Sequence, residues 1–401
     1  MNMHAQAMDF DEAIDRRGSN SLKWDSVKAF LPAEAAAADP LPMWVADMDF
    51  RAPQPVIDAL TQAARAGLFG YSFGARDSYV AAVTGWQKRR FGWAVRPEWV
   101  VPVSGVITAL KTIVQAFSAP GDTVLLQPPV YAHFQDDVLI NGRFPVSAPL
   151  IRTETSYRYD AAVFEAAIRP NTKIFILSNP HNPTGNVWTE DELRSMGEIC
   201  ARHGVLVVSD EIHQDLIMNP ACRHVPFASL SDAFAENSIT CTAPSKTFNL
   251  PGLQCANAFI PSPRLRAEFQ RQLERNLYPK VNLMGMVAAE AAYNHGEAWL
   301  EDLVAYVRAN HAYFAAAING LNAGLKVLPA DALYLAWMDC RAMGHDAEAL
   351  ETFMLTKARL WLDKGQKFGL EGHGYMRVNL GCPRATVDEA IARIKGAVAA
   401  G

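Results

Sequence analysis

No two cysteines in this 401-residue sequence stand at a CxxC spacing; the six present (Cys200, Cys222, Cys241, Cys255, Cys340 and Cys382) are scattered. A zinc cage or a redox pair therefore has no local support, and no metal site is expected. Segments such as SITCTA and GLQCANAF favour buried, reduced thiols instead. Long apolar runs are missing too, since none approaches the roughly 20 residues of a membrane helix. The opening MNMHAQAMDFDEAIDRR has neither the positive start nor the hydrophobic stretch of a secretory leader. A cytoplasmic setting without a membrane partner is the expectation. Positive charge is not in excess: 37 Lys and Arg against 42 Asp and Glu leave a net −5. Such a balance suits solubility and not a polyanion, so nucleic acid is not expected as a partner. There is no internal repeat, and no biased tract beyond the Ala-rich AEAAAADPLP.

What is present is an ordinary globular composition, 50% hydrophobic and 20% charged, in a chain too long for one hydrophobic core. The first forty or so residues look like an arm followed by a linker. In PVIDALTQAARAG, Val56, Leu60 and Ala63 or Ala64 recur at helical spacing, and Gly67 is positioned as a C-cap. From about residue 98 to 260 short apolar runs alternate with helical stretches: WVVPV, TVLLQ, KIFIL, VLVVS, SITCT and CANAFI. Several are too continuously apolar for a sheet wetted on one face, which points to buried parallel strands between helices. Thr189 and Glu192 form a capping-box pair at the start of the helix before VLVVS, and Gly204 ends it. Beyond about 285 long helices lead to shorter strands at YLAWMD and YMRVNL. The expected division is an N-terminal arm with part of a small domain (1–50), a large α/β domain (51–285) and a smaller C-terminal α/β domain (286–401).

Four strand ends carry the chemistry. Lys246, in APSKTFNLPG, follows a strand at the edge where open α/β sheets bind ligands. Burial there lowers a lysine pKa and yields an amine able to condense with an aldehyde. Asp210, in SDEIH, ends VLVVS and can pair with a protonated ring nitrogen; His213 follows three residues on. Asn182, in SNPHNPTG, has a neutral amide suited to a phenolate oxygen. Ser104, Gly105 and Val106 open a helix, where bare N–H groups bind phosphate. Each has a plainer reading taken alone: a surface lysine, a helix N-cap, a turn, an empty strand–helix junction. Together they supply the parts that one pyridine aldehyde phosphate requires.

NPHNPTG, SDEIH and SKTFNLPGL resemble the fold-type I pyridoxal-phosphate enzymes of the class I/II aminotransferase superfamily. The resemblance runs from about Met8 to the C-terminus and implies the aspartate-aminotransferase-like fold, with a mostly parallel mixed sheet between helices. MWVADMDFRAP, FGYSFG, PPVYAHF, GNVWTEDEL, SDEIHQDL and RVNLGCPR point to the MalY/PatB branch of cystathionine and cysteine-S-conjugate β-lyases. His213 stands where ordinary aminotransferases have a tyrosine. The resemblance implies pyridoxal 5'-phosphate as cofactor, Lys246 as its Schiff-base lysine, Asp210 as its pyridinium partner, Asn182 as ring-oxygen donor and Tyr131 as the stacking aromatic. Arg377 resembles the clamp on the substrate α-carboxylate. Gly105 and Val106 match backbone phosphate contacts, and Ser245 is a further candidate. Tyr71 resembles a tyrosine that reaches the neighbour's phosphate, which implies a homodimer. Asp47 and Tyr131 are placed as substrate-facing residues. Gln254 occupies the position of a phosphate-binding arginine in many aminotransferases, so backbone amides and a helix dipole carry more of that task.

The activity this implies is β-elimination from an amino acid with sulfur on its β-carbon, giving pyruvate, ammonia and a thiol. An aminotransferase is the alternative, because both reactions use the same residues. A regulatory binding protein is the reading from another class, implied by MalY's second role in binding a transcriptional activator of sugar metabolism; no segment marks such a surface.

Overall fold

The computed structural model describes residues 8–72, 74–276 and 281–400. The N-terminal stretch corrects the expectation of an arm and linker. Lys23 is fully buried, its amine 2.6 Å from Asp49 Oδ2, and Arg16 and Trp24 Nε1 bond the other oxygen of that carboxylate. Residues Ala33–Ala37 are helical, and Ala35 packs with Leu355 and Trp361. Strand β1 (Leu41–Pro42) then pairs in parallel with Leu360–Trp361. Ala is the strongest helix former, so the run that looks like a spacer in sequence becomes a packed turn of helix. Helix α1 (Gln54–Ala66) begins behind Pro53 and ends on Gly67, whose φ of 67° is the expected left-handed cap.

The larger sheet consists of β2 (Val100–Val103), β3 (Thr123–Leu126), β4 (Phe144–Ser147), β5 (Thr172–Ser178), β6 (Leu206–Asp210), β7 (Ser238–Thr242) and β8 (Ala256–Phe259). Its spatial order is β2-β8-β7-β6-β5-β3-β4. The five strands from β4 to β7 run parallel, but β8 is antiparallel to both β7 and β2. A parallel connection needs a crossover, usually a full helix. Residues 243–255 hold only short helical turns, so the chain returns as a wide hairpin.

Helices α2 (Val106–Phe117), α3 (Ala132–Ile140) and α4 (Glu190–Arg202) belong to this layer. Alternation along the strands sorts the core. Ile174 and Ile176 face α2 through Leu110 and Ile113, while Phe175 and Leu177 face α4 through Leu193, Met196 and Cys200. Each such side chain withdrawn from water stabilises the sheet by about 1.5–3 kcal/mol. The Thr189–Glu192 capping box forms as expected.

Helices α5 (Leu283–His295) and α6 (Glu297–Asn319) lead into a second, antiparallel sheet of β9 (Lys326–Val327), β10 (Leu335–Asp339), β12 (Asp363–Lys364) and β13 (Tyr375–Asn379), where β11 is Leu360–Trp361. Its order is β9-β10-β13-β12, and α7 (Arg384–Ala400) closes the chain. Among the described residues no helix is long and apolar enough to cross a membrane.

Candidate active site

Parallel register brings the chemistry to one edge. Asp210, the last residue of β6, stands opposite Ser178 of β5 and Cys241 of β7. One turn beyond β7 lies Lys246. Ser104, Gly105, Val106, Tyr131, Asn182, Asp210, His213, Ser245 and Lys246 all line a single cavity of about 190 Å³. A wider cavity of about 560 Å³, walled by residues 214–226, contains none of them.

The Lys246 amine donates to the Ala46 carbonyl at 2.6 Å. Burial pushes its pKa down to about 8; Asp47 and Asp210 oppose that shift and Arg377 adds to it. Burial likewise pushes the Asp210 carboxyl up to about 7, against the Ile212 N–H that donates to it at 3.2 Å. The His213 ring is held neutral by burial and by the nearby Lys246 and Arg377 cations; its Nδ1 is buried without a partner among the described residues. Next door, Glu211 accepts from Ser209 Oγ, Phe227 N and His224 Nε2, which anchors the loop on its far side. Tyr131 is the N-cap of α3, and burial pushes its hydroxyl up to about 12.

The NPHNPTG turn is built on Gly185, whose φ is 76°; a Cβ there would meet Ala330 Cβ at 2.9 Å and Ala332 O at 3.0 Å. Only glycine fits that conformation and that closeness. Asn182 donates its backbone N–H to Ser178 Oγ at 3.1 Å. Its Oδ1 accepts from Arg377 Nη1 at 3.1 Å, which leaves the amide N–H₂ for a ligand. Arg377, central in β13 and buried, also donates to Asp363 Oδ2 at 2.7 Å and to Trp44 O at 3.2 Å.

Three expected residues, Arg377, Asp47 and Tyr71, are not among the cavity's lining residues; Arg377 reaches it through its bond to Asn182. Asp47 pairs with Arg16 at 2.8 Å, although its charge reaches Lys246. Tyr71 is fully exposed on this chain. Sequence reasoning did not place Ala46, Asp363 or Gln254 at the site. Asp363 carries no local motif; its role appears only when β12 and β13 pair. Gln254, read only as a missing arginine, lines the cavity itself.

The donor set suits pyridoxal phosphate. Added to Gly105, a Cβ would meet nothing nearer than Thr108 Oγ1 at 4.0 Å, so open space faces the N-terminus of α2 where a phosphate belongs. At the other end, a buried acid and an unpartnered imidazole nitrogen await a ring.

The sequence pattern of aminotransferase class I and II matches residues 45–394. The chain belongs to that family. Within the class I and II aminotransferases it is 43% identical to cystathionine β-lyase PatB of Bacillus subtilis, over 98% of this chain and 100% of that protein. It is 32% identical to the protein MalY of Escherichia coli, over 98% of this chain and 99% of the relative. Cystalysin from Treponema denticola, whose crystal structure contains a pyridoxal 5'-phosphate cofactor, superposes with a TM-score of 0.93 at 31% identity, covering 98% of this chain and 100% of the other.

Proposed function

We propose that this class I/II family member is a pyridoxal-phosphate-dependent carbon–sulfur β-lyase that cleaves cystathionine or a related cysteine S-conjugate to pyruvate, ammonia and a thiol. The supporting observation is the convergence of Lys246, Asp210 and Asn182 on one cavity, with Arg377 bonded to Asn182, in a chain 43% identical to a cystathionine β-lyase.

Bound pyridoxal phosphate supplies an aldehyde for the substrate amine and a ring that takes up the electrons left when the α-proton departs. Arg377 holds the substrate α-carboxylate with a planar fork that a lysine lacks. Asn182 spends its oxygen on Arg377 and keeps its amide for the ring oxygen. Asp210 would pair with the ring nitrogen, whose positive charge would favour the ionised acid that burial alone opposes. Lys246 Nζ, partly neutral near pH 8, takes the α-proton. Tyr131 would cover one face of the ring, and His213, a neutral imidazole, would adjoin it. Ser104, Gly105, Val106 and Ser245 would hold the phosphate at the α2 N-terminus. The Cβ–S bond then breaks with its electron pair on sulfur, and water completes pyruvate and ammonia.

The two sheets support a division into a cofactor-holding part (51–285) and a smaller part (286–401, joined by 1–50) that carries Arg377. The exposed strip of Leu68, Phe69 and Tyr71 supports a homodimer in which Tyr71 serves the partner's phosphate. Five buried, unpaired thiols fit a reducing, cytoplasmic setting. Asp47, close enough to act on Lys246, is proposed to influence the substrate through its charge.

The test is pyruvate release from cystathionine by the purified holoenzyme without any keto acid. Strict dependence on a keto-acid acceptor overturns the lyase and identifies an aminotransferase.

A further inference from the structure

Arg377 shares a carboxylate with a second cation. Asp363 stands directly opposite Arg377 across the β12–β13 pair. Its Oδ2 accepts from Arg377 Nη2 at 2.7 Å, and its Oδ1 accepts from Lys367 Nζ at 2.8 Å. The Lys367 ammonium lies 5.6 Å above the Trp44 ring, which stacks on Trp361 at 4.4 Å. Asp363 and Arg377 are both buried, whereas the Lys367 side chain is 42% exposed.

The charges decide what this arrangement does. A carboxylate bonded to a guanidinium fixes its plane but also cancels its charge. Arg377 and Asp363 alone would form a neutral pair with little pull on an incoming carboxylate. Lys367 returns the lost unit, so the three groups together carry one net positive charge. One substrate α-carboxylate neutralises it. The stacked indoles hold Lys367 from below by a cation–π contact, and Trp44 O accepts a further bond from Arg377.

We propose that Asp363 and Lys367 are positioning residues for substrate recognition: Asp363 sets the orientation of Arg377, and Lys367 offsets the charge that Asp363 brings. The inference rests on the reading that Arg377 takes the α-carboxylate. It confines productive ligands to amino acids with a free α-carboxylate.

The experiment uses the holoenzyme with Lys367→Met, Lys367→Arg, Asp363→Asn and the double variant Asp363→Asn/Lys367→Met. Dissociation constants for L-alanine, which has no β-leaving group, and for L-alaninamide, which has no carboxylate, are read from the change in cofactor absorbance. KM and kcat are measured on a cysteine thioether. Lys367→Met is expected to weaken L-alanine and raise KM about tenfold with kcat within about twofold, sparing alaninamide. Lys367→Arg keeps the charge and stays near wild type. The double variant again carries one net charge and keeps an amide oxygen that can accept from Arg377, so it recovers most of the lost affinity, which loss of a merely structural ion pair would not produce. Unchanged alanine binding in Lys367→Met, an equal loss for alaninamide, or a double variant no tighter than Lys367→Met overturns the proposal. If wild type releases no pyruvate from thioethers, the lyase reading fails while the alanine titrations still test the charge set.

Discussion

The Lys246 amine and the Ala46 carbonyl oxygen lie 2.6 Å apart although 200 residues separate them in the chain. Tyr334 Oη donates to the same carbonyl at 2.9 Å. Three residues beyond the lysine, Asn249 brackets the same segment: its Oδ1 accepts from Met48 N, and its amide donates to the carbonyls of Met48 and Phe50. The WVADMDF segment is thus stitched onto the lysine turn. The amine rests at a fixed point in the cavity wall, and burial there keeps its pKa low.

Replacing Asn249 with Ala removes three hydrogen bonds and puts alanine at a φ of 56°, a conformation that asparagine tolerates better. A loss of roughly 2–4 kcal/mol is expected from unmet backbone groups and strain together. Chemical denaturation reads it as a lower midpoint at constant slope. Stability within about 0.5 kcal/mol of wild type would show that the bracket holds nothing.

Lys246→Ala deletes the proposed base and the cofactor's anchor. Turnover is expected to fall at least about 10³-fold, and the visible absorbance band of the holoenzyme should vanish. Because the amine donates to a single carbonyl, that of Ala46, the melting temperature of the cofactor-free protein should change little. A variant that keeps both the band and the activity would remove Lys246 from the chemistry.

Asp210 gives the cofactor-free protein a pH signature. Its carboxyl is near 7 when folded, against an ordinary 3.8. Between those values the folded chain holds a proton that the unfolded chain has released, so stability falls as pH rises from about 4 to 7. Asn carries no such cost. Cofactor-free Asp210→Asn should match wild type near pH 4 and exceed it above pH 7, by at most about 4 kcal/mol. Denaturation curves at pH 4.5 and 8 test this; equal differences at both would contradict it. In the holoenzyme the same substitution should cost activity, since a neutral amide does not keep a ring nitrogen protonated.

Asp49 and Lys23 form a buried ion pair at 2.6 Å. Asp49→Ala leaves a buried ammonium unpaired and should destabilise the fold by about 3–5 kcal/mol. Lys23→Met should cost less, because Arg16 and Trp24 still bond the acid. The reverse ranking in thermal or urea unfolding would mean that the pair does not anchor this segment.

Much of the larger sheet was legible because β5 and β6 carry apolar residues on both faces, a pattern that leaves few alternatives to buried strands. Strand β4 escaped notice: FPVS contains a proline and is half exposed at the sheet edge, so it lacks that signal. The reversed direction of β8 was equally hidden, since its residues look like those of its neighbours and only the short connection decides its sense. At the site, Lys246, Asp210 and Asn182 could be read because each sits in a local motif at a strand end. Asp363 and Ala46 could not, as a solitary acid and a backbone carbonyl have no pattern.

The order of residues along the chain determined the kinds of groups available and the strand ends that present them, because capping, turn formation and apolar runs act over a few neighbours. Which distant groups meet was decided by strand register and by burial. These set the Lys246 amine against Ala46 and placed Asp363 between two cations. They also raised the Asp210 pKa, an effect of the surrounding low-dielectric interior that no local segment encodes.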